Sequence, residues 1–122
     1  MQVKLPVGDR AKYHVLTEIF SFTAPFKSMS RRERQVYAEL NYYYNKLPGI
    51  DPKKKNKLIF DYDTRREISD HLGVKPEQIY NIISLLKKKK LIIKNNLVPK
   101  YILPDVKTLT FNFVENANTE NK

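Results

Sequence analysis

The chain has 122 residues, 41% of them hydrophobic, which suits one domain with a modest core. It has no cysteine, which excludes disulfides, thiolate metal sites and cysteine nucleophiles, and no apolar run approaches the roughly 18 residues that span a bilayer. The net charge is +10, and thirteen basic against five acidic residues lie between Lys53 and Lys100, so the excess is concentrated in the stretch where a polyanion partner would need it.

The opening MQVKLPVGDRAKYH lacks the apolar core of a signal peptide, so a soluble intracellular protein is expected. Residues 1–29 form an N-terminal arm. Val3 to Leu5 suit a short strand before the turn residues Pro6 to Asp9. Lys12 to Phe22 carries Tyr13, Val15, Leu16, Ile19, Phe20 and Phe22 at spacings that fit a helix and a strand equally, and Pro25 ends it. The arm is either an apolar lid on the core or a surface for dimerisation or partner contact.

Ser30 to Leu47 reads as a helix. Ser30 and Glu33 have capping-box spacing, and Val36, Leu40, Tyr43 and Leu47 make one apolar face. Arg31, Arg32 and Arg34 crowd its first turn against the helix dipole, as solvated arginines or beside an anion. Tyr42, Tyr43 and Tyr44 point about 100° apart on a helix, so they form no single stacking platform and are assigned to packing. Pro48 and Gly49 end the helix. Asp51 to Lys57 is expected to be a basic loop, either solvated or reaching phosphates through Lys53, Lys54, Lys55 and Lys57, and Leu58 to Phe60 a short strand.

Thr64 to Leu103 is the most informative stretch. Thr64 and Glu67 give a second capping box, Ile68 and Leu72 share a face, and Gly73 suits a left-handed C-cap. Pro76 then opens a helix whose stripe is Ile79, Ile82, Ile83 and Leu86. Leu91 to Ile93 and Tyr101 to Leu103 read as two strands joined at Asn95-Asn96. Beyond Pro104-Asp105, Leu109, Phe111 and Phe113 alternate with polar residues as a strand, which adds to this domain's sheet or to a partner chain. The final ENANTENK is polar and expected to be disordered.

The segments EISDHLGV and PEQIYNIISLLKKKKLI, followed by the hairpin, resemble the winged helix-turn-helix family of DNA-binding domains. Ser69, Gly73, Ile79, Ile83, Leu86, Leu91 and Ile92 fall on the family's small, turn and apolar positions. The chain departs from it at Lys90, where the family often has glycine, and at Lys75, where the usual N-cap is Ser or Thr. The resemblance covers about a third of the chain. It implies an α+β fold with a three-helix core and a small antiparallel sheet over residues 30–104, with residues 105–122 as a C-terminal strand and tail. It also implies that Leu58 to Phe60 pairs with the wing as a third strand.

On that resemblance the helix 76–89 enters the major groove of double-stranded DNA. Subtracting the apolar stripe leaves Gln78, Tyr80, Asn81 and Ser84 as base readers, since amide side chains can bind adenine bidentately. Arg65, Arg66, Lys75, Lys87 and Lys88, the loop lysines Lys53, Lys54 and Lys55, and Lys94 and Lys100 beside the wing turn are the expected phosphate contacts. Lys87 to Lys90 also suit a helix C-terminus on dipole grounds alone.

No catalytic constellation is legible. Asp61 and Asp63 alternate on a strand and would share one face, the superficial pattern of a metal pair, but Asp63 precedes the helix cap Thr64 and a capping or turn role explains it better. His71 is assigned to the solvent side of its helix, and neither metal nor cofactor is expected. The sequence thus points to a transcriptional regulator that binds specific duplex DNA and associates with the nucleoid, as a homodimer or with a partner protein held by the arm or the C-terminal strand. The Lys, Asn and Ile content suits a phage or a low-GC bacterium. The alternative is a protein-interaction winged helix docking on a polymerase, replication or packaging assembly.

Overall fold

At the start of the longest helix, Ser30 Oγ accepts the Glu33 N–H at 3.2 Å, and α2 runs from there over Arg31–Asn45. The structure, a computed structural model, describes residues 2–6, 8–46, 49–105 and 108–112, with 2–6 and 108–112 described by their backbone. Val36, Tyr37, Leu40 and Tyr44 of α2 are buried, and the other helices assemble against that face.

Helix α1 (Ala11–Ile19) lies on α2 through Tyr13 and Leu16, and two 3-10 turns then bring Phe26 and Met29 into the same core. Residues 11–29 therefore include the lid that their apolar content suggested, although Ile19, Phe20 and Phe22 stay exposed. Strand β1 (Gln2–Pro6) pairs antiparallel with β4 (Thr108–Asn112) of the same chain, Val3 opposite Phe111 and Leu5 opposite Leu109. Strand β4 thus pairs with β1 and not with the hairpin. Residues 113–122, including Phe113 and the polar tail, lie outside the described residues.

Residues 51–60 correct the expected loop and strand. The Asp51 carboxylate accepts the Lys53 N–H at 2.9 Å, Pro52 takes the first helical position, and α3 runs Pro52–Ile59. Asn56 and Ile59, one turn apart, are its buried residues. Helix α4 (Tyr62–Leu72) also starts earlier than expected. Its N-cap is Asp61, whose carboxylate accepts the Thr64 N–H at 2.8 Å, while the Thr64 hydroxyl donates to the Leu58 carbonyl at 3.0 Å. Asp61 and Asp63 therefore sit on a helix start, and no strand places them on one face.

Helix α5 (Pro76–Lys88) buries Ile79, Ile82, Ile83 and Leu86 against α2 and α4, each fully buried side chain contributing about 1.5–3 kcal/mol. The hairpin after it is smaller than expected, with β2 (Ile92–Ile93) and β3 (Asn96–Leu97) joined by Lys94 and Asn95. Both turn residues have positive φ, +52° and +57°, the twist that a two-residue hairpin loop needs. Tyr101 to Leu103 is not the second strand. Pro99 has no N–H for a ladder and opens a 3-10 turn instead.

That segment is tied to α2. The Tyr37 hydroxyl donates to the Tyr101 carbonyl at 2.6 Å, and Asn41 Oδ1 accepts the Leu103 N–H at 2.8 Å. Asn45 Nδ2 donates to the Leu103 carbonyl at 3.0 Å. No third strand flanks β3 among the described residues. Asn56 occupies that side, its Oδ1 accepting the Leu97 N–H at 2.8 Å and its Nδ2 donating to the Pro52 carbonyl at 2.8 Å. The architecture is mixed α+β, five helices with small two-stranded antiparallel sheets, and among the described residues no helix is long and apolar enough to cross a membrane.

Candidate nucleic-acid interface

Two helices joined by a tight turn set the geometry of the exposed basic face. Gly73 ends α4 at φ +68°, a conformation that costs glycine little, and the Val74 N–H returns to the Ser69 carbonyl at 3.1 Å. Ser69 is buried and its hydroxyl donates to the Val74 carbonyl, so the turn is held at both ends. Pro76 then starts α5 with its ring preset for a first turn.

With Ile79, Ile82, Ile83 and Leu86 turned inward, α5 leaves Lys75, Glu77, Gln78, Tyr80, Asn81, Lys87 and Lys88 exposed and Ser84 half-buried. These polar groups are not equally free. Gln78 Oε1 accepts the Lys75 N–H at 3.2 Å, because lysine has no side-chain acceptor with which to cap the helix. One arm of the amide assigned to adenine is therefore engaged, and the Asn81 amide is the less encumbered of the two. The Ser84 hydroxyl donates to the Tyr80 carbonyl at 3.2 Å.

Tyr80 is 60% exposed, with the Arg65 guanidinium carbon 5.8 Å from its ring centroid. This pair forms a ridge between two shallow clefts. Tyr62, Arg65, Arg66, Pro76, Glu77 and Tyr80 line one, and Phe60, Arg65, Tyr80, Ile83, Ser84, Lys87 and Asn95 line the other. The second cleft joins the middle of α5 to the hairpin turn. Arg65, Arg66, Tyr80, Ser84, Lys87 and Asn95 of the hairpin turn thus border two adjoining clefts that share Arg65 and Tyr80.

Other sequence-predicted contacts lie apart from it. Lys53, Lys54 and Lys55 ride on α3, and Lys55 Nζ stands 4.9 Å from the Tyr44 ring centroid on α2. Lys100 does not flank the hairpin turn. It sits on the later 3-10 turn, over Tyr101 at 5.5 Å, in a cleft with Phe20 and Phe26. Lys89, in the basic run at the end of α5, is turned inward, its ammonium donating to the Ser28 carbonyl at 2.6 Å and to the Glu33 carboxylate.

The cations on this surface are not held in ion pairs by described residues. Arg65, Arg66, Lys75, Lys87, Lys88 and Lys94 form no ion pair with any described residue. Arg10, Lys12, Arg34 and Lys89 are paired, with Glu39, Asp105, Glu18 and Glu33 respectively. Arg34 and Arg32, expected to crowd the start of α2, are occupied there by Glu18 and Gln35. The tyrosines of α2 form no platform, since Tyr44 is buried and Tyr42 and Tyr43 meet edge to face beneath Arg10.

One cluster was not legible in the sequence. His71 is exposed, as expected, yet its Nε2 reaches within 3.9 Å of Glu39 Oε2, and His14 Nε2 lies 2.7 Å from the same oxygen. Three residues from three helices, separated by 25 and 32 positions in sequence, leave no local motif. No family model matches the chain, and searches of curated proteins and of solved structures found nothing similar to it.

Proposed function

We propose that the chain is a winged-helix protein that binds duplex DNA with α5 in the major groove, and that it acts as a transcriptional regulator on the nucleoid. The observation that carries this reading is the coincidence of an exposed polar helix face with six cations that form no ion pair with a described carboxylate. Arg66, Lys75, Lys87 and Lys88 hold phosphates on either side of the groove, and Lys94 in the hairpin turn holds the backbone beyond it. Asn81 reads a base edge, and Tyr80, steadied by Arg65, contacts a thymine methyl or a phosphate. A single module of this size binds weakly, so a second copy or a partner supplies the remaining affinity.

The partner has a place to dock. Phe22 is 84% exposed, and Ile19 and Phe20 beside it are also exposed. This apolar patch on the arm equally supports the second reading, in which the domain docks on a protein assembly.

Fluorescence anisotropy with a labelled mixed-sequence duplex at several salt concentrations tests the DNA reading. Binding is expected in the range of roughly 1–100 μM on non-specific DNA and to weaken steeply with salt. Replacing Arg66, Lys87 and Lys88 together by alanine should flatten the slope of log K against log salt by about 3. Asn81→Ala should matter on a site selected from a random library and not on mixed sequence. Absence of binding at low salt would leave protein docking as the function.

A further inference from the structure

We propose that His14, Glu39 and His71 form a binding site for one zinc-class divalent ion, which clips α1 and α4 to α2. The three ligand atoms lie within 4.8 Å of one another. Donors around a tetrahedral zinc, at about 2.0–2.1 Å from the ion, stand about 3.3 Å apart. The distances from Glu39 Oε2, 2.7 Å to His14 Nε2 and 3.9 Å to His71 Nε2, bracket that value, so small side-chain adjustments suffice. Two imidazoles and one carboxylate leave a fourth position, which water can reach past the exposed His71.

The carboxylate lies between the Arg10 guanidinium on one side and the two imidazoles on the other. Glu39 is fully buried, and its Oε1 accepts no hydrogen bond from a described residue. Arg10 Nη2 pairs with Oε1 at 3.0 Å and also donates a hydrogen bond to the Tyr43 hydroxyl at 2.7 Å. Arg10 fixes the side of the carboxylate that faces Oε1, and Oε2 is left toward the two imidazoles, the arrangement in which an outer partner orients a ligand. Two imidazole ligands suit Zn2+, Co2+ and Ni2+ and not Mg2+ or Ca2+, which prefer oxygen.

The consequence is structural and independent of DNA binding. An ion on three helices makes the docking of the arm depend on metal, because it binds the folded site and not the unfolded chain. The test uses tag-free, chelator-treated full chain titrated with Co2+. The proposal expects the visible ligand-field bands of a low-coordinate cobalt site saturating at one ion per chain, displaced by Zn2+ and not by Mg2+. Zinc at a hundredfold excess over Kd should raise the melting temperature by about 5 °C or more. His71→Ala changes a half-exposed helical side chain and should keep the fold while losing both signals. His14→Gln should do the same. Lack of a cobalt spectrum in the parent chain, retention of both signals in His71→Ala, or displacement by Mg2+ would overturn the proposal.

Discussion

The two sides of α2 treat charge in opposite ways. Toward α1, Arg10 is paired with buried Glu39, Lys12 with Asp105 and Arg34 with Glu18. Across α4, α5 and the hairpin, Arg65, Arg66, Lys75, Lys87, Lys88 and Lys94 are unmatched. The first arrangement ties elements distant in sequence, and the second leaves cations free to pair with an external anion. Charges on the first side should therefore report in stability, and those on the second in binding.

The largest loss should come from Glu39→Ala. It strands the Arg10 guanidinium and two imidazoles, and with allowance for their partial exposure it should cost about 2–4 kcal/mol in urea unfolding. Asn41→Ala should follow at about 2–3 kcal/mol, because the buried Leu103 N–H loses its acceptor and a cavity opens.

The same side should fail at alkaline pH. Burial pushes the Tyr37 and Tyr13 hydroxyls up from 10.0, and the hydrogen bond to Asp105, opposed by burial, raises Lys12 from 10.5. All three hold their protons longer folded than unfolded. Their contribution is thus complete below about pH 10 and is lost as pH rises through the folded values. Tyr37→Phe should flatten that alkaline limb in melting curves recorded at increasing pH.

On the other side, Lys90→Gly should stabilise by about 0.5–1 kcal/mol, since Lys90 holds φ at +67°, and DNA affinity should fall no more than one lost phosphate contact allows. Smallest of all, Arg66→Ala, Lys87→Ala and Lys88→Ala should each move stability by about 0.5 kcal/mol or less. A large loss of stability in any of them would erase the division between the two sides.

Helices α2 and α5 were readable because local signals agreed. Ser30, Pro76 and the stripe Ile79, Ile82, Ile83 and Leu86 all point to the same elements. Helix α3 was misread, although Asp51-Pro52 is an N-cap followed by an N1 proline and Asn56 and Ile59 have helical spacing. The short apolar run Leu58 to Phe60 is ambiguous by period, since three apolar residues fit a strand as well as the last turn of a helix. Thr64 lost its capping role to Asp61 three residues earlier, since both residue types cap well. The face of α5 was legible, but the engagement of Gln78 in its own helix cap was not. It follows from the lysine at position 75, which cannot cap the helix itself. The His14–Glu39–His71 cluster depends wholly on tertiary packing, which no spacing rule reaches.

Asn56 has a last consequence, for how copies of the chain behave at high concentration. A ribbon of two short strands normally offers a bare row of amides on which another molecule can add a strand. Here the outward Leu97 N–H is stoppered by a side chain from α3, and the helix covers that edge. The seal takes one amide and no third strand. At this hairpin, protection from edge-to-edge pairing therefore rests on a single asparagine as well as on the +10 charge that keeps copies apart.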